Sequence, residues 1–151
     1  MAKHTIKIKK YSDVIEEYVN GTVLPVTPGM LIEITSDNVV QPHSTEDGAA
    51  LIMFALEDEL QGKGIDDAYA VSTASPIVKV PVQCWLPGHG DMAYALLADG
   101  ETAVIGSWLA SNGDGKLKVS TTNPIGQAVE AVDMSGSSGA DPSGRIIVRI
   151  N

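Results

Sequence analysis

Cysteine is almost missing from this sequence: Cys84 stands alone, which rules out an intrachain disulfide and any paired-cysteine zinc or redox motif. Aromatic residues make up only 5%, so the apolar mass has to come from Val, Ile, Leu and Ala. No apolar run approaches the ~20 residues that a membrane-spanning helix requires. Residues 1–10, MAKHTIKIKK, lack the apolar middle of a secretory signal, so neither export nor membrane insertion is expected. The phosphate-cradling patterns GxxxxGK(S/T) and GxGxxG do not occur.

Positive charge is also scarce, and it is unevenly placed. Lys3, Lys7, Lys9 and Lys10 put four positive charges in the first ten residues, while the other 141 residues carry 6 basic and 19 acidic groups. An acidic body repels nucleic acid, so the basic segment suits an acidic protein surface better than a phosphate backbone. Direct contact with nucleic acid is not expected.

At 151 residues, 44% apolar and 19% charged, the chain is sized for one core and one domain. Its 15 glycines and 8 prolines cut the apolar stretches into short pieces, which favours many short strands over long helices. In TIKIK, residues 5–9, the alternation sets Ile6 and Ile8 on one face and the lysines on the other, as in an edge or arm strand. YSDVIEEY, residues 11–18, fits a helical turn with Ser12 as its cap. Residues 30–35 read as a strand that turns at 36–38 into a second strand at 39–41. AALIMFALEDEL, residues 49–60, is ambiguous; propensity slightly favours a helix closed by Gly62.

From residue 77 the alternation of Val78, Val80 and Val82 with polar residues predicts a strand, with Pro81 placing it at an edge or beside a bulge. Pro87-Gly88 then turns the chain into a second strand at 92–98. Asp99-Gly100, Asn112-Gly113 and Asp114-Gly115 mark turns around strands near 103–106 and 116–119. Residues 125–132 follow, then a Ser-Gly surface loop over 135–144, then a closing strand at 146–150. The pattern predicts an all-β fold, a barrel or a sandwich.

Candidate chemistry is thin. Cys84 with His89 or His43, and Asp91 to orient the imidazole, has the residue types of a cysteine hydrolase. Yet Cys84 lies between Gln83 and Trp85 in an apolar strand, where a thiol behaves as a small hydrophobe. His43, His89 and Asp91, with Glu46 and Asp47, match no metal-ligand spacing, and GHGD at 88–91 needs only a turn explanation. The acidic group Glu57, Asp58 and Glu59 lacks the alternating oxygen ligands of a calcium loop, so solvated surface or a partner contact is expected. Trp85 and Trp108 read as core, with interface anchoring as the competing use. No enzyme, cofactor or metal site is expected.

Four segments, in order, carry a resemblance: MFALEDELQGKGIDDAY at 53–69, VPVQCWLPGHGDMAYALLADGETAVIGSWLASNGDGKL at 80–117, NPIGQAVEAVD at 123–133 and RIIVRIN at 145–151. Together they resemble the capsid decoration (cement) proteins of siphophages, including those of Chi-like phages, over roughly residues 25–151. The ordered set carries the likeness, since no single motif in it is chemically diagnostic. AVSTASPIVK at 70–79 departs from the pattern, where relatives carry a Gly-Asp turn.

The resemblance implies a small β-barrel or β-tulip-like body at 21–151 with an extended N-terminal arm at 1–20. It implies a strand, rather than a helix, leading into the acidic loop at 57–59. It further implies synthesis in the host cytoplasm and assembly as homotrimers on the outside of the expanded shell of major capsid protein. The expected contacts with capsid or neighbouring trimer are Lys3, Ile6, Lys7, Ile8, Lys9, Lys10 and Tyr11 of the arm, with Glu57, Asp58 and Glu59. Deleting residues 1–20 should then leave an intact barrel. A tail-tube, head-tail joining or fibre-base protein with a similar barrel remains the alternative.

Overall fold

The structure is a computed structural model that describes residues 5–11, 13–20, 25–70, 80–136 and 144–151. Thirteen short strands account for nearly all its regular structure: β1 (Lys7–Lys9), β2 (Val14–Asn20), β3 (Ile32–Ser36), β4 (Val39–Pro42), β5 (Phe54–Ala55), β6 (Val80–Leu86), β7 (Met92–Leu96), β8 (Thr102–Ala103), β9 (Trp108–Ser111), β10 (Leu117–Val119), β11 (Gly126–Ala128), β12 (Val132–Asp133) and β13 (Arg145–Ile150). One 3-10 turn, Glu59–Gln61, is the only helical element among the described residues. The all-β expectation holds.

The strands form a six-stranded sheet in the order β1-β7-β13-β11-β9-β10, a five-stranded sheet in the order β3-β4-β2-β6-β5, and the pair β12-β8. Among the described residues these sheets stay open, and no closed barrel forms. The strands are too short to carry a continuous ladder around a barrel, since β5, β8 and β12 have two residues each.

Two apolar clusters flank the five-stranded sheet, and alternation along β6 feeds both. Trp85 joins the larger one, with Ile6, Phe54, Leu97, Leu109 and Ile146, while Val82 and Cys84 join the smaller one, with Ile32, Met53 and Tyr69. On the face of Trp85 the strand is buried only there, since Pro81 is exposed and Gln83 half-buried. Pro81 is accommodated inside the sheet because β5 reaches only Cys84 and Trp85. Its carbonyl, on the side where its missing N–H would point, accepts from Gln61 Nε2 at 2.9 Å.

The N-terminal region corrects the arm expectation. Residues 14–20 are a strand, not a helical turn, paired antiparallel with β6 from Val14↔Leu86 to Asn20↔Val80. Seven cross-strand pairs of a β-branched sequence outweigh one local cap. β1 pairs with β7, and Ile6 is fully buried in the larger cluster, its carbonyl accepting from Tyr94 N at 2.8 Å. The described residues of the expected arm are therefore part of the body. Deleting residues 1–20 removes β2 and Ile6 rather than trimming an appendage.

Two further readings are corrected: of the strand expected near 103–106 only β8 forms, residues 104–107 being a turn closed by Ser107 N donating to Val104 O at 3.0 Å, and β6 lies between β2 and β5 rather than at an edge. Residues 32–42 form the β3-β4 hairpin, with Asn38 at φ 60 in its turn. The stretch at 49–60 supplies β5 and then the acidic turn, as the resemblance implied. Residues 71–79, most of the divergent segment, and 137–143, most of the Ser-Gly loop, lie outside the described residues.

Candidate interaction surface

Lys3 lies outside the described residues; the other expected contact residues fall into two groups joined by Glu57. Its carboxylate accepts from Thr5 Oγ1 at 2.7 Å and from Ile6 N at 3.2 Å, fixing the start of β1. Asp58 caps the 3-10 turn, taking Leu60 N at 3.0 Å and Gln61 Nε2 at 2.7 Å, and Gly62 closes it at φ 69. Two of the three acids therefore have structural work. Glu59 stays exposed beside Leu60, which is 100% exposed at the tip of the turn.

The lysines are less available than their number suggests. Lys7 and Lys10 converge on Asp13 at 3.0 and 2.6 Å. The hydrogen bond from Lys10, then that from Lys7, holds the Asp13 carboxyl below its ordinary range. Lys9 lies 5.4 Å from the centre of the Tyr11 ring, a cation-π contact, and Tyr11 is 71% exposed. Ile8 is only half-buried, whereas Ile6 is sealed in the core and presents nothing outward. What reaches solvent is Lys9, Lys10 and Tyr11 on one side of Glu57 and the Glu59–Leu60 tip on the other.

Asp91 anchors this region. It is fully buried and accepts from Tyr11 N at 2.7 Å and Gly88 N at 2.9 Å, while its own carbonyl accepts from Ile150 N at 2.8 Å. The GHGD turn thus ties the N-terminal strand to the closing strand. Asp91 is engaged by backbone donors rather than by an imidazole.

Cys84 is fully buried, and burial pushes its thiol up to about 12, with the Tyr18 backbone opposing and Glu16 and Glu17 adding to the rise. Its Sγ lies 3.5 Å from Val82 O. Iodoacetamide should label the native chain at least ~100-fold more slowly than the urea-unfolded chain, because alkylation needs both exposure and thiolate. Comparable rates would show that the thiol is open. The unfolded thiol titrates near 9, so its contribution to stability is complete below that pH and is lost as the pH rises from about 9 toward 12.

Sequence reasoning missed a second constellation. His43 Nδ1 shares a hydrogen bond of 2.7 Å with Ser111 Oγ, and His43 Nε2 lies 3.3 Å from Ala49 O and 3.8 Å from Glu33 Oε2. Burial works to raise the Glu33 carboxyl, but hydrogen bonds from Ser44 and Gln41 and the nearby His43 leave it lowered. An open pocket of about 220 Å³ lies here, lined by Glu33, Ile34, His43, Leu51 and Met53. The types match a Ser-His-acid relay, but Ser111 is fully buried and its Oγ also accepts from Gly113 N at 3.1 Å. A hydroxyl so placed braces the 111–113 turn and does not reach a substrate. Ser111 lies 68 residues from His43 in sequence, so no spacing could have revealed the group.

Among the described residues no group of three His, Cys, Asp or Glu side chains is arranged to hold a metal ion. No helix among them is long and apolar enough to cross a membrane. No protein-family model matches the chain, and no curated protein sequence matches it.

Proposed function

We propose that the chain is a non-catalytic structural protein, a decoration protein that binds as homotrimers to the outside of an expanded tailed-phage capsid. One observation carries the reading: the four segments of the resemblance are the framework of the body. They supply β5 to β9 and β11 to β13 in full and most of the larger apolar cluster. A likeness seated in the core bears on the whole domain rather than on a surface motif.

A rigid body set where capsid subunits meet acts as a clamp, because binding only the assembled shell stabilises that shell by mass action. Many identical copies make weak individual contacts effective together. With Ile6 and β2 folded into the body, contact with the major capsid protein or a neighbouring trimer falls to Lys9, Lys10, Tyr11, Glu59 and Leu60. Cosedimentation with undecorated shells tests this. The chain should pellet with expanded shells and not with unexpanded ones, saturating at many copies in multiples of three. Failure to bind either shell sinks the proposal; a few copies in a ring would instead mark a tail-tube, joining or fibre-base component.

A further inference from the structure

Over residues 14–17, one backbone side of β2 has no strand on it among the described residues. Leu56 N donates to Gln83 O, so Pro81, Gln83 and Trp85 direct their backbone polar groups toward β5. Val80, Val82, Cys84 and Leu86 therefore direct theirs toward β2, opposite Asn20, Tyr18, Glu16 and Val14. Ile15, Glu17 and Val19 face the other way. Val19 N donates to Asn38 O at 3.0 Å, and β4 pairs only with Val19 and Asn20. Among the described residues, Ile15 and Glu17 have no backbone partner, and all of residues 14–17 are exposed, Val14 by 50% and Ile15 by 41%. Two donors and two acceptors stand ready for another strand.

Charge decides which strand fits. Glu16 accepts from the Tyr18 hydroxyl and Glu17 accepts from Gln83 Nε2 at 2.7 Å, so neither carboxylate is matched by a cation among the described residues. A second copy is a poor occupant. In antiparallel self-pairing the outward residues 15 and 17 must face outward residues. Pairing 15 with 17 sets Glu16 against Glu16 at the close, non-hydrogen-bonded position, and pairing 17 with 17 sets Glu17 against Glu17; only pairing 15 with 15, which brings Glu17 opposite an Asp13 already bridged by Lys7 and Lys10, is not opposed by charge. In-register parallel pairing stacks both glutamates on their copies. The acids that oppose the other self-pairings select a basic partner.

We propose that residues 14–17 accept, by strand addition, an extended segment of another protein that reads basic, basic, aliphatic, aliphatic in the antiparallel sense. The two basic residues lie opposite Glu17 and Glu16, and the two aliphatic residues opposite Ile15 and Val14. The site does not depend on the capsid reading, and its test contains no shell.

The probe is the capped peptide TKKIVT, titrated into the full chain at low ionic strength and followed by amide chemical shifts. Binding should move the Ile15 and Glu17 amides and be at least ~10-fold tighter than for TEEIVT, a preference that added salt erodes. N-methylation of the peptide isoleucine, which faces Ile15 in a hydrogen-bonded pair, should abolish binding; N-methylation of the second lysine, which faces Glu16 with its amide turned away, should not. The E16K/E17K chain should prefer TEEIVT, and if that variant does not fold, the N-methyl pair decides alone. Equal binding of the two peptides, indifference to N-methylation, shifts confined to other residues, or no binding overturns the proposal. Self-association of the chain that protects the Ile15 and Glu17 amides overturns it in favour of a second copy.

Discussion

Replacing Arg145 by alanine is expected to lower the unfolding free energy by ~3–5 kcal/mol, the range of a broken buried polar network. The guanidinium side chain is only 2% exposed. Nη1 donates to Pro28 O at 2.8 Å and Tyr94 O at 3.4 Å, and Nη2 donates to Ile65 O and to Asp66 Oδ1, the latter at 3.4 Å. One side chain thus holds the loops at residues 28 and 65–66 against β7 and β13. Burial pulls its pKa down, Asp66 opposes, and the stacking of the guanidinium 5.6 Å from the Tyr94 ring centre adds to its hold. Gly29 makes room for it: a Cβ there would collide with Arg145 Nη1 and sit 2.8 Å from Tyr94 O.

Alanine would leave buried carbonyls without donors, and lysine, with a single ammonium in place of a planar fork, should recover only part of the loss. The measurement is a urea melt with a thermal scan beside it. For a domain of this size, each kcal/mol moves the midpoint by about 2–4 °C, so a fall of ~10 °C is expected. A loss under ~1 kcal/mol would mean that the network is ornamental.

Gly126→Ala is expected to cost at least ~3 kcal/mol or to prevent folding, since the new methyl meets backbone that cannot swing aside. An added Cβ collides with Arg149 O, with the Arg149 carbonyl carbon 2.9 Å and Val148 Cγ2 3.0 Å away. β11 lies between β13 and β9, with Gly126 opposite both Ile150 and Leu109, so relief on one side loosens the other. Gly100→Ala is the control. It has open space but φ +81, and should cost only the ~1–2 kcal/mol of a left-handed backbone. Comparable soluble yield and urea midpoint for Gly126→Ala and the parent would refute the clash.

The contrast between these glycines shows what was legible beforehand. Asp99-Gly100, Asn112-Gly113 and Asp114-Gly115 announce turns by local chemistry, and all three glycines have positive φ. Gly126 sits in GQA without any turn companion, because its reason is a neighbouring strand some twenty residues on. Likewise Val14, Ile15 and Val19 carry β propensity, but Ser12 as a cap suggests a helical turn, and only β6 decides between them. Burial of the Cys84 thiol was readable from its apolar flanks. The roles of Glu57, Asp58 and Asp91 as backbone acceptors were not, since a carboxylate's partner is set by the fold. Lys7 and Lys10 read as free charge because Asp13 belongs to the next segment.

The place of β13 has a consequence for how the protein is made. It is the last of the described strands, yet it lies between β7 and β11 inside the six-stranded sheet. A ribosome must therefore release residues 145–150 before that sheet can close, and β2 must wait for β6. Until those residues emerge, nascent chains will hold unpaired β edges, and folding will be slow and sensitive to any truncation that removes Arg145 or the residues after it.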